Sequence, residues 1–166
     1  MPRRASFGNS DFSTWINNIK SEVAEEASEA IIRQLQIKGP YWSGNFAGAW
    51  EARVGNVNIP ADQKSPDRKE RPRQLETYVV EQAPKRSKGN LQYTIDNRMK
   101  YRDVAKDLVP DSSDPAGRKR GEKPGATAPL NWYRTYLEGG GLQTTIALAT
   151  NRVAKKPEIK NFRGKI

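Results

Sequence analysis

The chain has 166 residues, of which 35% are hydrophobic and 29% are charged, and its formal net charge is +10. It contains no cysteine and no histidine, which excludes disulfides, the usual zinc sites, cysteine nucleophiles and a histidine general base. The length predicts one domain with a modest core. No apolar run approaches the ~18 residues of a membrane span, and no apolar stretch typical of a secretory signal follows the first residues. We therefore expect a soluble protein made in a cytoplasm.

Residues 10–37 are predicted to form one long helix. Apolar residues recur there at spacings of three and four and would form a single stripe, and Gly39 followed by Pro40 indicates where the helix stops. At 1.5 Å per residue the helix would be about 40 Å long, more than a small core needs, which favours a contact with a neighbour. The stripe comprises Phe12, Ile16, Ile19, Val23, Ala27, Ala30 and Ile31.

The opposite face of this helix is acidic, with Glu22, Glu25, Glu26 and Glu29. Residues 1–60 carry equal numbers of basic and acidic side chains, so the whole basic excess lies after residue 60. Two interpretations stay open: a solvated acidic face, or a face that pairs with the basic second half of an identical subunit.

Three short segments have the alternation or the β-branched and aromatic content of strands. They are WEARV from Trp50, LETYVVEQ around Tyr78 and LQYTID from Leu91. The turn APKRSKGN between the last two predicts a hairpin. The sequence thus predicts an α+β fold in which the long amphipathic helix packs on a small antiparallel sheet.

The second half predicts a short helix near Met99 and further helical turns after Trp132, with Gly139 to Gly141 as a break and a short C-terminal helix beyond. The predicted organisation is an N-terminal arm at 1–9, one domain at 10–153 with extended loops at about 60–74 and 109–129, and a basic tail at 154–166 that reaches outward.

The uncharged stretch KGPYWSGNFAGAW, residues 38–50, concentrates aromatic side chains between glycines. Trp42, Phe46 and Trp50 fit a seam between helix and sheet. Alternatively, Tyr41 or Trp42 reaches a neighbouring subunit, because aromatic residues are favoured interface anchors. A ligand pocket is the third choice, since no convergent polar groups accompany the rings.

One pattern resembles a metal-dependent nuclease. Pro110-Asp111 and Glu158-Ile159-Lys160 match the letters of a motif in which two acids hold Mg²⁺ and the lysine polarises water. Neither acid follows a predicted strand, so the match lacks the structural context that the chemistry requires. We expect no cofactor, no metal and no enzymatic activity.

The order of these elements resembles the neck and tail-completion proteins of tailed bacteriophages, the group of the minor tail protein Z of phage lambda. The family's helix ends in Lys-x-Pro followed by Thr/Ser-Gly, here Lys38, Pro40 and Ser43-Gly44, and a later strand ends in Ile-x-Asn before a tyrosine, here Ile95, Asn97 and Tyr101. The resemblance covers roughly residues 15–105.

The resemblance implies a structural virion protein, assembled in the host cytoplasm, that forms a hexameric or dodecameric ring between head and tail. Its axial neighbours would be portal-side or adaptor proteins and tail-terminator or tail-tube proteins. Contact with packaged DNA is a further expectation, and the alternative function is non-specific DNA binding by a basic accessory protein. The expected interface residues are Tyr41, Trp42, Glu22, Glu26, Trp132 and Tyr136, and the basic loop that faces DNA or a partner contains Arg118, Lys119 and Arg120.

Overall fold

The structure is a computed structural model that describes residues 9–40, 46–62, 78–82, 91–100, 102–106, 128–129 and 131–159. Within these ranges a long helix packs on a small sheet and shorter helices follow, which confirms the predicted α+β class. The elements are α1 (Asn9–Lys38), a 3-10 turn (Ala47–Ala49), β1 (Trp50–Val54), β2 (Val79–Val80), β3 (Tyr93–Asn97), α2 (Arg102–Ala105), α3 (Trp132–Glu138) and α4 (Gly141–Ala154).

Helix α1 ends at Lys38, as the Gly39-Pro40 signal predicts. Gly39 donates its backbone N–H to the carbonyl of Leu35 at 2.9 Å. A Cβ at Gly39 would lie 3.0 Å from the ring of Trp132, so a side chain here would push α3 away from the end of α1. The glycine thus allows a close packing of two helices, in addition to ending one.

The buried face of α1 matches the predicted stripe only in part, since Ala27 of the stripe is buried but the main cluster uses other residues. Ile32 and Leu35 belong to the main hydrophobic cluster and Ile31 packs against it, whereas Ile19 and Val23 are half-buried and lie outside it. Ser28 and Gln36 are buried on the same helix, because the hydroxyl of Ser28 donates to the Ala24 carbonyl at 2.8 Å and the amide of Gln36 donates to the Ala47 carbonyl at 2.9 Å. A prediction from hydrophobic periodicity counts only apolar residues, so it misses polar side chains that are buried because the protein satisfies their hydrogen bonds.

The sheet is mixed and has the strand order β2-β1-β3. β1 pairs antiparallel with β3 and parallel with β2. The strand segments are confirmed, but the all-antiparallel sheet and the β2–β3 hairpin are wrong, since β2 and β3 lie on opposite sides of β1. A parallel neighbour needs a crossover of a dozen or more residues, and the long connection after β1 provides it.

Trp50 is buried between α1 and the sheet, with 1% of its surface exposed, as predicted. The α1 residues that share its hydrophobic cluster come from the helix's C-terminal half, Ile32 and Leu35, and the predicted Ile19, Val23 and Ala27 are not members of it. Phe46 meets Trp50 edge-to-face with ring centroids 5.6 Å apart. The seam interpretation of the aromatic segment therefore holds for Phe46 and Trp50, while Tyr41 and Trp42 lie outside the described residues.

Residues 55–62 form a strap that returns from the end of β1 along β3. Gly55, with φ +93°, turns the chain. The hydroxyl of Thr94 then donates to the Gly55 carbonyl at 2.7 Å, and the Arg102 guanidinium donates to the Ile59 carbonyl at 2.8 Å. Ile59 is 1% exposed. The strap brings the chain back to the end of the sheet where β1 starts, which is why β2 runs parallel to β1.

The two C-terminal helices complete the domain. α4 packs along α1 and runs antiparallel to it. Two ion pairs show the direction: Arg152 pairs with Glu26 at 3.3 Å, and Lys156, four residues later, pairs with Glu22 at 3.6 Å. The buried positions of α4 are Thr145, Ala149 and Val153. Ile159 is also buried, so the first residues of the predicted outward tail lie against the body. None of the helices within the described ranges is both long and apolar enough to cross a membrane.

Candidate functional site: the ion-paired junction at the end of β3

The most concentrated group of charged side chains lies where β3 meets α2. One oxygen of Asp96 accepts hydrogen bonds from the backbone N–H of Asn97 at 2.8 Å and from the Lys106 ammonium, and its other oxygen pairs with Arg102 at 2.7 Å. The Asn97 carbonyl accepts from Arg102 at 3.1 Å. These contacts satisfy the outward-facing backbone groups at this end of the strand, so α2 protects the sheet edge.

Lys106 is unusual because its side chain is only 5% exposed. Its ammonium lies 5.4 Å from the ring centre of Trp50 and 5.3 Å from that of Tyr133. The two rings are stacked with centroids 6.3 Å apart. Burial, followed by the nearby Asp96 carboxylate, raises the pKa of the Tyr133 phenol. The carboxylate and the two aromatic faces together stabilise a buried positive charge.

Asn97 joins the two halves of the junction. It is completely buried, its side-chain amide donates to the Phe46 carbonyl at 2.7 Å, and its side-chain oxygen accepts from the Met99 backbone N–H at 3.0 Å. One side chain therefore fixes the segment that leads into β1 relative to the exit of β3. An alanine or an aspartate at this position cannot make the same pair of bonds.

A second group of charged side chains surrounds Glu51. In the antiparallel pairing of β1 with β3, Glu51 is the direct partner of Asp96. Glu51 accepts from the Nε of Arg53 at 2.5 Å and its second oxygen lies 3.6 Å from the Nε of Arg98. Arg98 also pairs with Asp62 at 2.5 Å. The hydrogen bond from Arg98 holds the pKa of the Asp62 carboxyl below its usual range, and the same bond raises the pKa of Arg98.

This arrangement can hold a backbone in place. Asp96, Glu51 and Asp62 all have basic partners at short range, and these adjacent cations would repel a metal ion. Among the described residues, no group of three acidic side chains is placed to bind a metal ion. Of the nuclease-like letters, Asp111 and Lys160 lie outside the described residues, and Glu158 is exposed in a helical turn.

The predicted interface residues fall into three groups. Glu22 and Glu26 pair with Lys156 and Arg152 of the same chain, so the predicted charge complementarity is met inside the subunit. Trp132 and Tyr136 are each 3% exposed and belong to the core instead of a partner surface. Tyr41, Trp42 and the basic loop Arg118, Lys119 and Arg120 lie outside the described residues.

The core assignment of Trp132 and Tyr136 follows from their polar atoms as well as their rings. The Trp132 indole N–H donates to the Ala105 carbonyl at 2.8 Å, and the Tyr136 hydroxyl donates to the Thr145 hydroxyl at 3.1 Å. Aromatic residues with a satisfied polar atom are well suited to a core. The sequence pattern alone does not show that these internal partners exist.

The junction itself was not predicted from the sequence. Its residues lie within eleven consecutive positions, namely Asp96, Asn97, Arg98, Arg102 and Lys106. The high density of opposite charges directly after a predicted strand is the sequence pattern that could have indicated it. These charges pair with one another only because α2 turns back towards β3. The spacing of charges along the chain does not reveal that turn.

Comparison with protein-family models, with curated proteins and with solved structures finds no match for this chain.

Proposed function

We propose that the chain is a structural subunit of the head–tail connector or tail-completion region of a tailed bacteriophage, where copies form a ring around the DNA channel. The proposal starts from the family resemblance in the sequence. It is supported by the part that one residue of the resemblance, Asn97, plays in the junction at the end of β3.

The observation that carries the proposal is the position of Asn97. It is the asparagine of the Ile-x-Asn pattern, and it bonds to the carbonyl of Phe46, which follows the Ser43-Gly44 pair of the other pattern. The asparagine of one pattern is thus bonded to the segment that directly follows the other pattern, 51 residues earlier in the chain. This long-range bond is the support that the structure offers to the proposal.

The chemistry of the junction also suits a structural role. Its carboxylates are held by arginine and lysine, and its buried lysine is enclosed by rings. Such a network rigidifies a connection between elements. A subunit that must hold its shape in a ring benefits from that rigidity.

The proposal is tested by removing the gene from the phage that encodes the chain. We expect filled heads and separate tails that do not join, and we expect joined particles to return when the wild-type chain is supplied in trans. Normal joined particles in the absence of the chain would exclude this function.

The second candidate is non-specific DNA binding, and the distribution of charge favours it. The described residues contain twelve basic and twelve acidic side chains, whereas the remaining segments contain seventeen basic and seven acidic ones. The net charge of +10 therefore belongs entirely to residues 1–8, 63–77, 83–90, 107–127 and 160–166.

Duplex DNA affinity measured against salt concentration separates the two candidates. DNA binding as the main function predicts tight binding by the isolated subunit whose logarithm falls with the logarithm of salt by about 0.9 for each phosphate contacted. A variant with alanine at Arg118, Lys119 and Arg120 would then show a smaller slope. Weak binding with no change in slope would favour the structural role alone.

A further inference from the structure

Arg98 lies between the carboxylates of Asp62 and Glu51, and it makes hydrogen bonds to only one of them. Its guanidinium holds Asp62 through two bonds, Nε to Oδ1 at 3.0 Å and a terminal nitrogen to Oδ2 at 2.5 Å. The same Nε lies 3.6 Å from Oε2 of Glu51, which is too long for a hydrogen bond. Arg98 is thus fully engaged with one acid and only close to the other.

Glu51, the carboxylate to which Arg98 makes no hydrogen bond, is the buried one of the two. The Glu51 side chain is 7% exposed, and its Oε2 has no hydrogen-bond donor, although Oε1 accepts from Arg53 at 2.5 Å. A buried carboxylate oxygen without a donor is costly. A small movement of Arg98 towards Glu51 would supply the missing bond.

Asp62 is the last residue of the strap that the structure describes, and 48% of its side chain is accessible. The other anchors of the strap do not use Arg98. Thr94 holds Gly55 and accepts from the Val57 N–H at 3.3 Å, and Arg102 holds the Ile59 carbonyl. Loss of the Asp62–Arg98 pair therefore frees only the distal end of the strap.

We propose that Arg98 is a two-position guanidinium and that the strap has a second state, in which Asp62 is released and Arg98 pairs with Glu51. A carboxylate faces Arg98 in both states, so the exchange replaces the ion pair with Asp62 by a hydrogen bond to the buried oxygen of Glu51. Asp62 can thus detach from Arg98 while the sheet stays intact. This device is independent of the proposed virion function.

A double-mutant cycle tests the exchange. In the wild-type background, Asp62→Ala should lower the thermal midpoint by only about 1 °C, because Arg98 moves to Glu51. In a Glu51→Gln background that second position has lost its charge, so Asp62→Ala should lower the midpoint at least about twice as much. Equal shifts in the two backgrounds would overturn the proposal.

The matched control is Asp103→Ala, which removes another exposed aspartate beside an arginine, at 3.9 Å from Arg102. Its effect should be the same in both backgrounds, because Asp103 does not share Arg98. A background-dependent effect at Asp103 as large as that at Asp62 would assign the coupling to a general charge effect and would also overturn the proposal.

Hydrogen exchange on the single variant Asp62→Ala decides the matter even if Glu51→Gln does not fold. We expect faster exchange of the backbone amides of Ala61 and of position 62, and unchanged protection of β1. If β1 loses protection together with the strap, Asp62 supports the sheet directly and the two-position device is ruled out.

Discussion

Trp50 shows how one side chain can link most of the fold. It lies on the inner face of β1, meets Phe46 edge-to-face and stacks on Tyr133 of α3. Alternation along β1 predicted its burial, because Trp50, Ala52 and Val54 share one face. Its distant neighbours were not predictable, since they depend on which half of α1 covers the sheet.

Replacing Trp50 with alanine should remove about 3–5 kcal/mol of stability, because the cavity cannot be filled by a rigid aromatic cluster. Ile37→Ala is the matched control, since Ile37 is 70% exposed on α1, and it should leave the thermal midpoint nearly unchanged. A Trp50→Ala variant that melts with the wild type would show that the residue is not part of the core.

Tyr93 gives a prediction about pH. Burial, followed by the charges of Glu25 and Glu81, raises the pKa of its phenol from 10.0 to about 12. A raised pKa in the folded state means that the protonated phenol contributes stability below about pH 10, and that this contribution is lost as pH rises towards 12.

The difference in phenolate absorbance between the wild type and Tyr93→Phe should therefore be a step centred near pH 12. The substitution should also weaken the loss of stability between pH 10 and 12. A step centred at pH 10 would show that the ring is as accessible as in an unfolded chain.

At the scale of elements, the sequence located the helices and strands well but not their partners. Periodicity is a local property, so the segments of α1, β1, β3 and α4 were predictable. The strap, anchored by side chains of β3 and α2, returns the chain to the end of the sheet where β1 starts, which is what a parallel pairing of β2 with β1 requires. No local pattern in residues 75–97 distinguishes this arrangement from a hairpin.

The length of α1 has a similar explanation. The sequence favoured a neighbouring subunit as the cover for a helix of about 40 Å. In the structure, the C-terminal half of α1 covers the sheet, and its acidic side chains Glu22 and Glu26 meet the end of α4. Much of the helix is thus used within one subunit.

The α1–α4 contact predicts a clear contrast between two neighbouring alanines of α4. Ala149 is completely buried, so Ala149→Leu should overpack the contact and cost about 1–3 kcal/mol. Ala147 is exposed on the same helix, so Ala147→Leu should be close to neutral. Denaturant unfolding of both variants measures the difference, and equal stabilities would contradict the antiparallel packing of the two helices.

At the scale of the whole molecule, the described body and the rest of the chain differ sharply in charge. The body is neutral, with many of its arginines and lysines engaged in ion pairs, and the remaining segments carry the full net charge of +10. The basic excess lies after residue 60, as the sequence predicted. The division between the body and its connections depends on the fold, so charge counts along the chain do not reveal it.

Electron cryomicroscopy of the virion with the chain labelled at its C-terminus tests the central claim most directly. A structural subunit of the head–tail joint predicts a ring of label around the channel axis between head and tail, with the α1–sheet body recognisable in each repeat. Absence of the label from the joint of purified virions, with the chain recovered only as free monomers in the infected cell, would contradict it.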